Sequence, residues 1–467
     1  MVSLALADIQ GNILRGYGFP LAAYLFLEVS DADAGRAFLH EIVDEITSAD
    51  EWATPPPTTT NVALTYMGLR ALGVAGEVLH ELPAAFMEPM RHRAPRVLAD
   101  AGRSAPEHWV AGVGTDRSHI LVMIGGSRGV EQRAFEEKVT SVLARADSHG
   151  LRLLHRREAQ GLVDAGGREN RREHFGWADG YGQPSIEGVG DSRAGQGVPQ
   201  KDGITWLDLK AGEFILGYPD EDGQTVDVPL LRNGTYMVYR QLYQDVARFR
   251  RELYAEGAKY AETLKPEPAL DRDQLYELMA AKVVGRWRDG EAIELSERRP
   301  EAVSRALGEE AQDHPDNDFR YEHDAAGLRC PRGAHIRRTN PRDTLAGGGE
   351  MSKTHRIIRR GMPYGPFLPS RVTVDDGQDR GLIFICLNAD FGRQFELIQS
   401  LWCNDGNAFG LSNDKDYLLG DNRGTGQVTI QGDPPHFAKA QPDIVLTRGC
   451  EYLLVPGISA LRDLAGS

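Results

Sequence analysis

The chain has 467 residues, more than one ordinary domain needs; about 150 residues per domain gives roughly three units as a first expectation. Hydrophobic residues make up 41% and charged residues 26%, a globular balance that excludes general disorder. A formal net charge of −15 argues against a nucleic-acid binder, which needs a basic face.

The opening M-V-S-L-A-L-A-D-I-Q-G-N-I-L-R has no basic n-region and no apolar h-region, so no secretory signal is expected. No apolar run approaches the roughly 18 residues that span a bilayer. The four cysteines, Cys330, Cys386, Cys403 and Cys450, form no C-x-x-C pair, which leaves zinc ribbons and covalent c-type haem unsupported. Scattered thiols suit a reducing compartment, so a cytoplasmic location is expected.

In chain order, Ala22–Val29 reads as an apolar strand, and Asp31–Ile46 has helical spacing with Phe38, Ile42 and Ile46 on one face. The Pro-rich Thr54–Thr60 is a loop before a strand at Asn61–Tyr66 and a short helix at Met67–Leu72. His119–Ile124 is the clearest strand. A turn at Gly125–Gly129, a helix at Val130–Ala146 and a strand at Leu151–Arg157 follow. This β-α-β … β-α-β order is the split ferredoxin-like pattern, without a G-x-G-x-x-G or a Walker loop. Gly161–Gly212 is rich in Gly, Asp and Ser and too long for an idle loop.

The second half restarts with a strand at Thr235–Leu242 and helices at Gln244–Leu264 and Asp271–Asp289. Gly290–Ala326 is irregular and reads as an insertion. Gly381–Leu387 is a buried strand, Phe391–Trp402 a helix, and Ile444–Val455 the last strand. A second α+β unit is the economical reading, with units at 1–190 and 191–467 and an insertion near 265–326.

Three segments carry chemistry. The first is F-G-W-A-D-G-Y-G-Q-P-S, Phe175 to Ser185, where glycines bracket Asp179 and let the backbone approach a bulky planar partner. Read by itself it is equally a turn with an Asx cap. The second is C-P-R-G-A-H-I-R-R-T-N-P-R, Cys330 to Arg342, where His335 sits among small and basic residues in a proline-bounded stretch that is expected to be non-helical. A neutral imidazole there suits haem iron, and a basic surface loop is the plainer alternative. The third is R-I-I-R-R-G-M-P-Y-G, Arg356 to Gly365. If Arg356–Arg360 is extended, Ile357 and Arg359 share one face, which would point one arginine into a pocket and leave Arg356 and Arg360 at solvent; an exposed cationic strand end is the plainer alternative.

Together these segments resemble the dye-decolourising (DyP-type) peroxidase family. The resemblance extends to A-D-I-Q-G-N-I-L at the start, N-G-T-Y-M-V-Y-R at Asn233–Arg240 and the strand G-L-I-F-I-C-L, so it covers most of the chain. It implies an α+β fold of two ferredoxin-like domains with antiparallel sheets and peripheral helices, the haem held mainly by the second domain. It implies one non-covalent haem b per chain, hydrogen peroxide as oxidant reduced through Compound I, and dyes, phenolics or other one-electron donors as reductants. It implies Asp179 as distal acid–base group, Arg359 as distal arginine and His335 as proximal iron ligand. Leu382 and Phe384 match apolar distal positions, and Trp177 is expected in the pocket wall. Arg337 is expected to meet a propionate. Glu396, with Asp390 as rival, is expected behind the proximal imidazole.

A carboxylate base has an ordinary pKa near 3.9 against about 6.5 for histidine, so activity is expected to persist in acid. No membrane and no nucleic-acid partner is expected, and a homodimer stays open. The acid excess suits a cationic or neutral dye unless arginines gather at the haem entrance. The alternative on the same fold is a non-catalytic haem carrier or sensor. Two further motifs are set aside. Gly125-Gly126-Ser127-Arg128-Gly129 matches G-x-S-x-G but lacks an oxyanion segment. The acidic His314–Asp324 reads as a solvated loop, with a weak Ca²⁺ or Mn²⁺ site as the rival reading.

Overall fold

Strand β1, Leu21–Glu28, is apolar along nearly its whole length because the sheet is covered on both sides. Ala23, Leu25 and Leu27 enter one core, and Ala22, Tyr24 and Phe26 enter another on the opposite face. The structure, a computed structural model, describes residues 2–129, 132–163, 169–170, 172–178, 180–190, 192–264, 269–296, 316–423, 426–440 and 442–466. Asp179 lies outside the described residues, as do His314 and most of the irregular stretch expected at Gly290–Ala326.

The other main strands are β2 Thr58–Leu64, β3 Ile120–Gly126, β4 Arg152–Gln160, β5 Thr235–Gln244, β6 Ile358–Arg359, β7 Met362–Tyr364, β8 Gly381–Asn388 and β9 Val445–Val455. They form one sheet in the order β6-β8-β5-β9-β2-β3-β1-β4, with β7 also on β8, and every pairing is antiparallel. The first half runs β2-β3-β1-β4. The second repeats that pattern with β6, β8, β5 and β9, the edge position being shared by β6 and β7. The fold is therefore α+β with two ferredoxin-like halves, joined edge to edge where Leu64 pairs with Leu454.

Helix α1, Ala32–Ile42, starts where Asp31 accepts the Ala34 N–H at 2.9 Å, and it buries Phe38, Leu39 and Ile42. It tightens into a 3₁₀ turn at Val43–Glu45, so Ile46 lies beyond the helix. Helix α2 is Gln132–Ser148, α3 is Val246–Leu264 and α4 is Arg272–Val284. A capping box of Asp271 and Gln274 begins α4. It ends at Val284, short of the expected Asp289, because Gly285 turns left-handed at φ 98° and a Cβ there would collide with Ile336. The Pro-rich loop is shorter than expected, since Thr58–Thr60 already belong to β2. Phe391–Trp402 forms wide turns, as in the Glu396 N–H to Phe391 carbonyl bond of 2.7 Å five residues back. Among the described residues no helix is long and apolar enough to cross a membrane.

Candidate active site

Two adjoining hollows lie beside the sheet, the inner one on its C-terminal half and the outer one between the two halves. The inner one is floored by Leu242, Leu382, Phe384 and Val445, and walled by Trp177, Ala178, His335, Ile336 and Phe395. The outer one is a cleft of about 790 Å³ whose rim comes from the first half, including Arg15, Tyr17, Phe19 and Arg128. Glu173, Arg359, Leu382 and Phe384 line both, so they form the partition. Leu382 and Phe384 reach it together because alternate residues of β8 share a face.

His335 opens a short helix, α5, His335–Thr339, where a non-helical stretch was expected. The prolines bound the helix rather than forbid it: Pro331 precedes it and Pro341 follows it. Its Nδ1 meets Asp416 Oδ2 at 2.9 Å. Asp416 is fully buried, and its other oxygen accepts the N–H groups of Leu418 and Leu419 at 2.9 and 2.8 Å. Burial alone would raise the Asp416 carboxyl. The adjacent His335, the Leu419 N–H and the Arg338 charge outweigh it and hold the carboxyl below its ordinary range. A carboxylate on Nδ1 keeps the proton there and makes Nε2 the lone-pair nitrogen of the neutral ring.

The carboxylate behind the imidazole is thus Asp416, and neither Glu396 nor Asp390. Glu396 is engaged elsewhere: Arg93 clamps it bidentately at 2.5 and 2.7 Å, and the Tyr452 hydroxyl donates to it at 3.0 Å. Asp390 caps the following turn by accepting the Arg393 N–H at 2.8 Å. Nothing local in the sequence marks Asp416, which stands 81 residues beyond His335.

Arg337 also departs from expectation. It donates to the Cys330 and Asp324 carbonyls at 2.7 and 2.9 Å, stacks over Tyr321, and does not line the cavity. Asp324 meanwhile accepts the N–H groups of Leu328, Arg329 and Cys330, so it organises the turn before His335. Among the described residues no group of three or more His, Cys, Asp or Glu is placed to hold a metal ion.

The buried arginines that do line the inner cavity include Arg342 and Arg356. Arg342 donates to the Asn317 and Phe319 carbonyls and to Asn317 Oδ1, at 2.7 to 3.0 Å. Arg356 donates to the Gly182 carbonyl at 3.2 Å. Burial pulls both guanidinium pKa values down, to about 9 and about 10. Arg356 is therefore not at solvent, and Arg360 is turned inward too, donating to the Asn12 and Ile13 carbonyls at 3.1 Å from the wall of the outer cleft.

Trp177 is buried in the inner wall as expected, with its Nε1 donating to the Arg286 carbonyl at 2.8 Å and Arg288 stacked 4.1 Å from its ring centroid. Its loop is gripped from two sides. Glu173 accepts the Phe175 and Trp177 N–H groups at 2.8 and 3.1 Å, and Arg288 donates to the Phe175 carbonyl. Gly176, at φ 106°, admits that guanidinium where a Cβ would collide with it. The next residues along the loop, Ala178 and Gly180, line the inner and the outer hollow respectively.

The Dyp-type peroxidase C-terminal family matches residues 270–413. The chain is 27% identical over 489 aligned positions to dye-decolorizing peroxidase msp1 of Mycetinis scorodonius, covering 99% of this chain and 88% of that protein. It is 28% identical to the multifunctional dye peroxidase DyP2 of Amycolatopsis sp., covering 98% and 96%. A solved dye-decolorizing peroxidase in complex with 2,6-dimethoxyphenol superposes with a TM-score of 0.82 at 25% identity, over 99% of this chain and 100% of the other.

Proposed function

Because this chain belongs to the Dyp-type peroxidase family, we propose that it is a haem peroxidase that reduces hydrogen peroxide to water while oxidising aromatic one-electron donors. The observation that carries the proposal is the His335–Asp416 contact of 2.9 Å at the wall of the inner cavity, with Arg359 on the partition.

The residues present suit the cofactor. The cavity walls are largely apolar, which fits a flat hydrophobic ring. Arg342 and Arg356 are buried cations whose hydrogen bonds go to carbonyl and amide oxygens, and a buried charge in that state favours an incoming anion such as a propionate. His335 would hold the iron, Asp416 would fix the ring and raise its basicity, and Trp177, Leu382 and Phe384 would pack on the macrocycle. The four cysteines are free and buried, and one non-covalent haem b per chain is the form proposed.

When bound, haem supplies the redox chemistry; the protein supplies position and charge. Peroxide must lose a proton from one oxygen and gain one on the other, and Asp179 is the group proposed to move it, on the strength of its motif. The Arg359 guanidinium would stabilise the negative charge that develops as the O–O bond lengthens.

The outer cleft bears on the donor. Among the described residues its lining holds Arg15, Arg128, Arg172, Arg359 and Arg360 against one carboxylate, Glu173. Burial raises the pKa of that carboxylate, even though N–H groups of Phe175 and Trp177 favour its charge. Arginines do gather at the approach to the site, so local charge overrides the net −15, and anionic or neutral aromatics are the favoured donors. Phenols of the kind bound by the solved neighbour fall within that class.

Two variants test the reading. His335→Ala is expected to abolish stoichiometric haem retention, and an unchanged Soret band at full occupancy would overturn the ligand assignment. Arg359→Ala is expected to keep haem and slow the reaction with peroxide by about 100-fold or more in stopped flow.

A further inference from the structure

The C-terminal half of the sheet ends at β6, and an edge strand leaves a row of backbone N–H and C=O groups outside the ladder. The Arg360 N–H donates to the Ile385 carbonyl at 2.8 Å. Antiparallel bonding alternates along a strand, so the N–H and C=O of Arg359 itself face away from β8. One side chain takes both. Gln183 Oε1 accepts the Arg359 N–H at 2.9 Å, and Gln183 Nε2 donates to the Arg359 carbonyl at 2.8 Å.

A primary amide carries an acceptor and a donor side by side, so it reproduces one residue of an additional strand. Few other side chains do this: leucine offers neither group, and a carboxylate offers two acceptors. The grip is local, because the adjacent Gly182 carbonyl also accepts from Arg356 at 3.2 Å. Arg360 NH1 donates to the Arg359 carbonyl as well, at 3.2 Å, so that oxygen has a second donor. Gly182 and Gln183 are thereby laid against the edge strand at Arg359, a residue that lines both hollows.

A guanidinium rides on a long flexible stem, so its resting position depends on how firmly its backbone is held. Displacing a catalytic group by about 1 Å can cost about 100-fold in rate. We propose that Gln183 is the positioning residue for Arg359: it completes the open sheet edge at that residue and so fixes where the guanidinium meets peroxide. The inference rests on the reading of Arg359 given above.

A double-mutant cycle on the haem-loaded full chain tests it. Gln183→Leu keeps the side chain's bulk and removes both hydrogen bonds. The second-order rate constant with peroxide is expected to fall by about 10-fold or more, with haem content and the KM for the aromatic donor unchanged. In an Arg359→Ala background the same change should alter the rate by less than about twofold, because the group being positioned is gone. Equal losses in both backgrounds would mean a general structural role and would overturn the proposal. So would a wild-type rate in Gln183→Leu beside a slow Arg359→Ala. A wild-type rate in Arg359→Ala alone would instead remove the reading of Arg359 and the inference with it. Should the leucine variant fail to fold, Gln183→Glu, which at neutral pH keeps the acceptor and loses the donor, carries the same cycle.

Discussion

Replacing Asp416 with asparagine removes one charge and one acceptor from the buried end of the His335 contact. The native carboxylate serves three donors, the imidazole at 2.9 Å and the N–H groups of Leu418 and Leu419 at 2.9 and 2.8 Å. An amide has a single acceptor oxygen, so its NH₂ must face either the backbone donors or the ring. If it faces the backbone, both buried N–H groups lose their shared acceptor, at a cost of about 1–3 kcal/mol each. If it faces the ring, it donates to Nδ1 and drives the proton to Nε2, the nitrogen needed for iron. Either arrangement weakens the site. Loss of such a supporting partner typically costs 10- to 100-fold in metal affinity or activity, or about 1.4–2.7 kcal/mol. The assay is haem titration of the apoprotein by the Soret band, followed by stopped-flow reaction with peroxide. Asp416→Asn with wild-type haem affinity and wild-type rate would refute the argument, because no rotamer of the amide satisfies all three donors.

Glu396→Gln is the companion experiment: it should leave haem affinity alone and destabilise the fold by about 3 kcal/mol, since it breaks a bidentate, largely buried pair with Arg93, as read from urea unfolding. Charge in the outer cleft predicts that a sulfonated dye shows a KM rising with ionic strength, while a cationic dye of similar size shows a flat or falling one; the double variant Arg15→Ala, Arg128→Ala should abolish the difference, and an unchanged contrast would remove the cleft from donor recognition. His174 gives an acid limit to stability. Burial is the main cause that lowers its pKa to about 4, while Nε2 donates to the Tyr364 carbonyl at 2.8 Å. The folded value lies below the unfolded value of about 6.5, so this stability is present above pH 6.5 and is lost as pH falls toward 4, about 3 kcal/mol in all. A urea midpoint whose acid dependence is identical in wild type and His174→Gln would contradict that.

The strands were legible because their apolar runs are imposed by burial on both faces. Tyr24 and Leu25 face different cores yet both must be apolar, so β1 reads as a continuous run. Element ends were less legible where a single backbone event decides them. The helix after Asp271 stops at a left-handed Gly285, and periodicity beyond it pointed to Asp289. Of the site, His335, Arg359, Trp177, Leu382 and Phe384 were named from motifs and all line the inner cavity. Arg342 and Gln183 stood inside the quoted motifs without drawing notice. A motif gives residue types in order, and says nothing of which arginine in R-R-T-N-P-R turns inward. Asp416 was out of reach for a different reason: its contact with His335 is made by tertiary folding alone, and a nearer carboxylate on an apolar stretch, Glu396, looked better placed.

The two halves share a strand order, yet the inner cavity lies on the second, and the difference lies in the connections. In the first half the crossovers are spent on α1 and α2, whose apolar faces pack directly on the sheet around Phe38 and Val139. In the second half the first crossover, between β5 and β6, brings α3 and α4 and then the loop that ends in His335. The crossover between β8 and β9 brings Asp416 to meet it. The strands β6 and β8 supply Arg359, Leu382 and Phe384 from the other side. Long connections cost little extra closure entropy, because the penalty grows only logarithmically with length. A ferredoxin-like half can therefore hold a cavity once its crossovers stand off from the sheet, and the residues with the clearest chemistry sit where those crossovers turn back toward it. The Gly-rich segment between the halves closes the remaining wall, and its ties to the second half include Gln244 donating to Glu173 at 2.7 Å, Arg288 on the Phe175 carbonyl and Gln183 on Arg359.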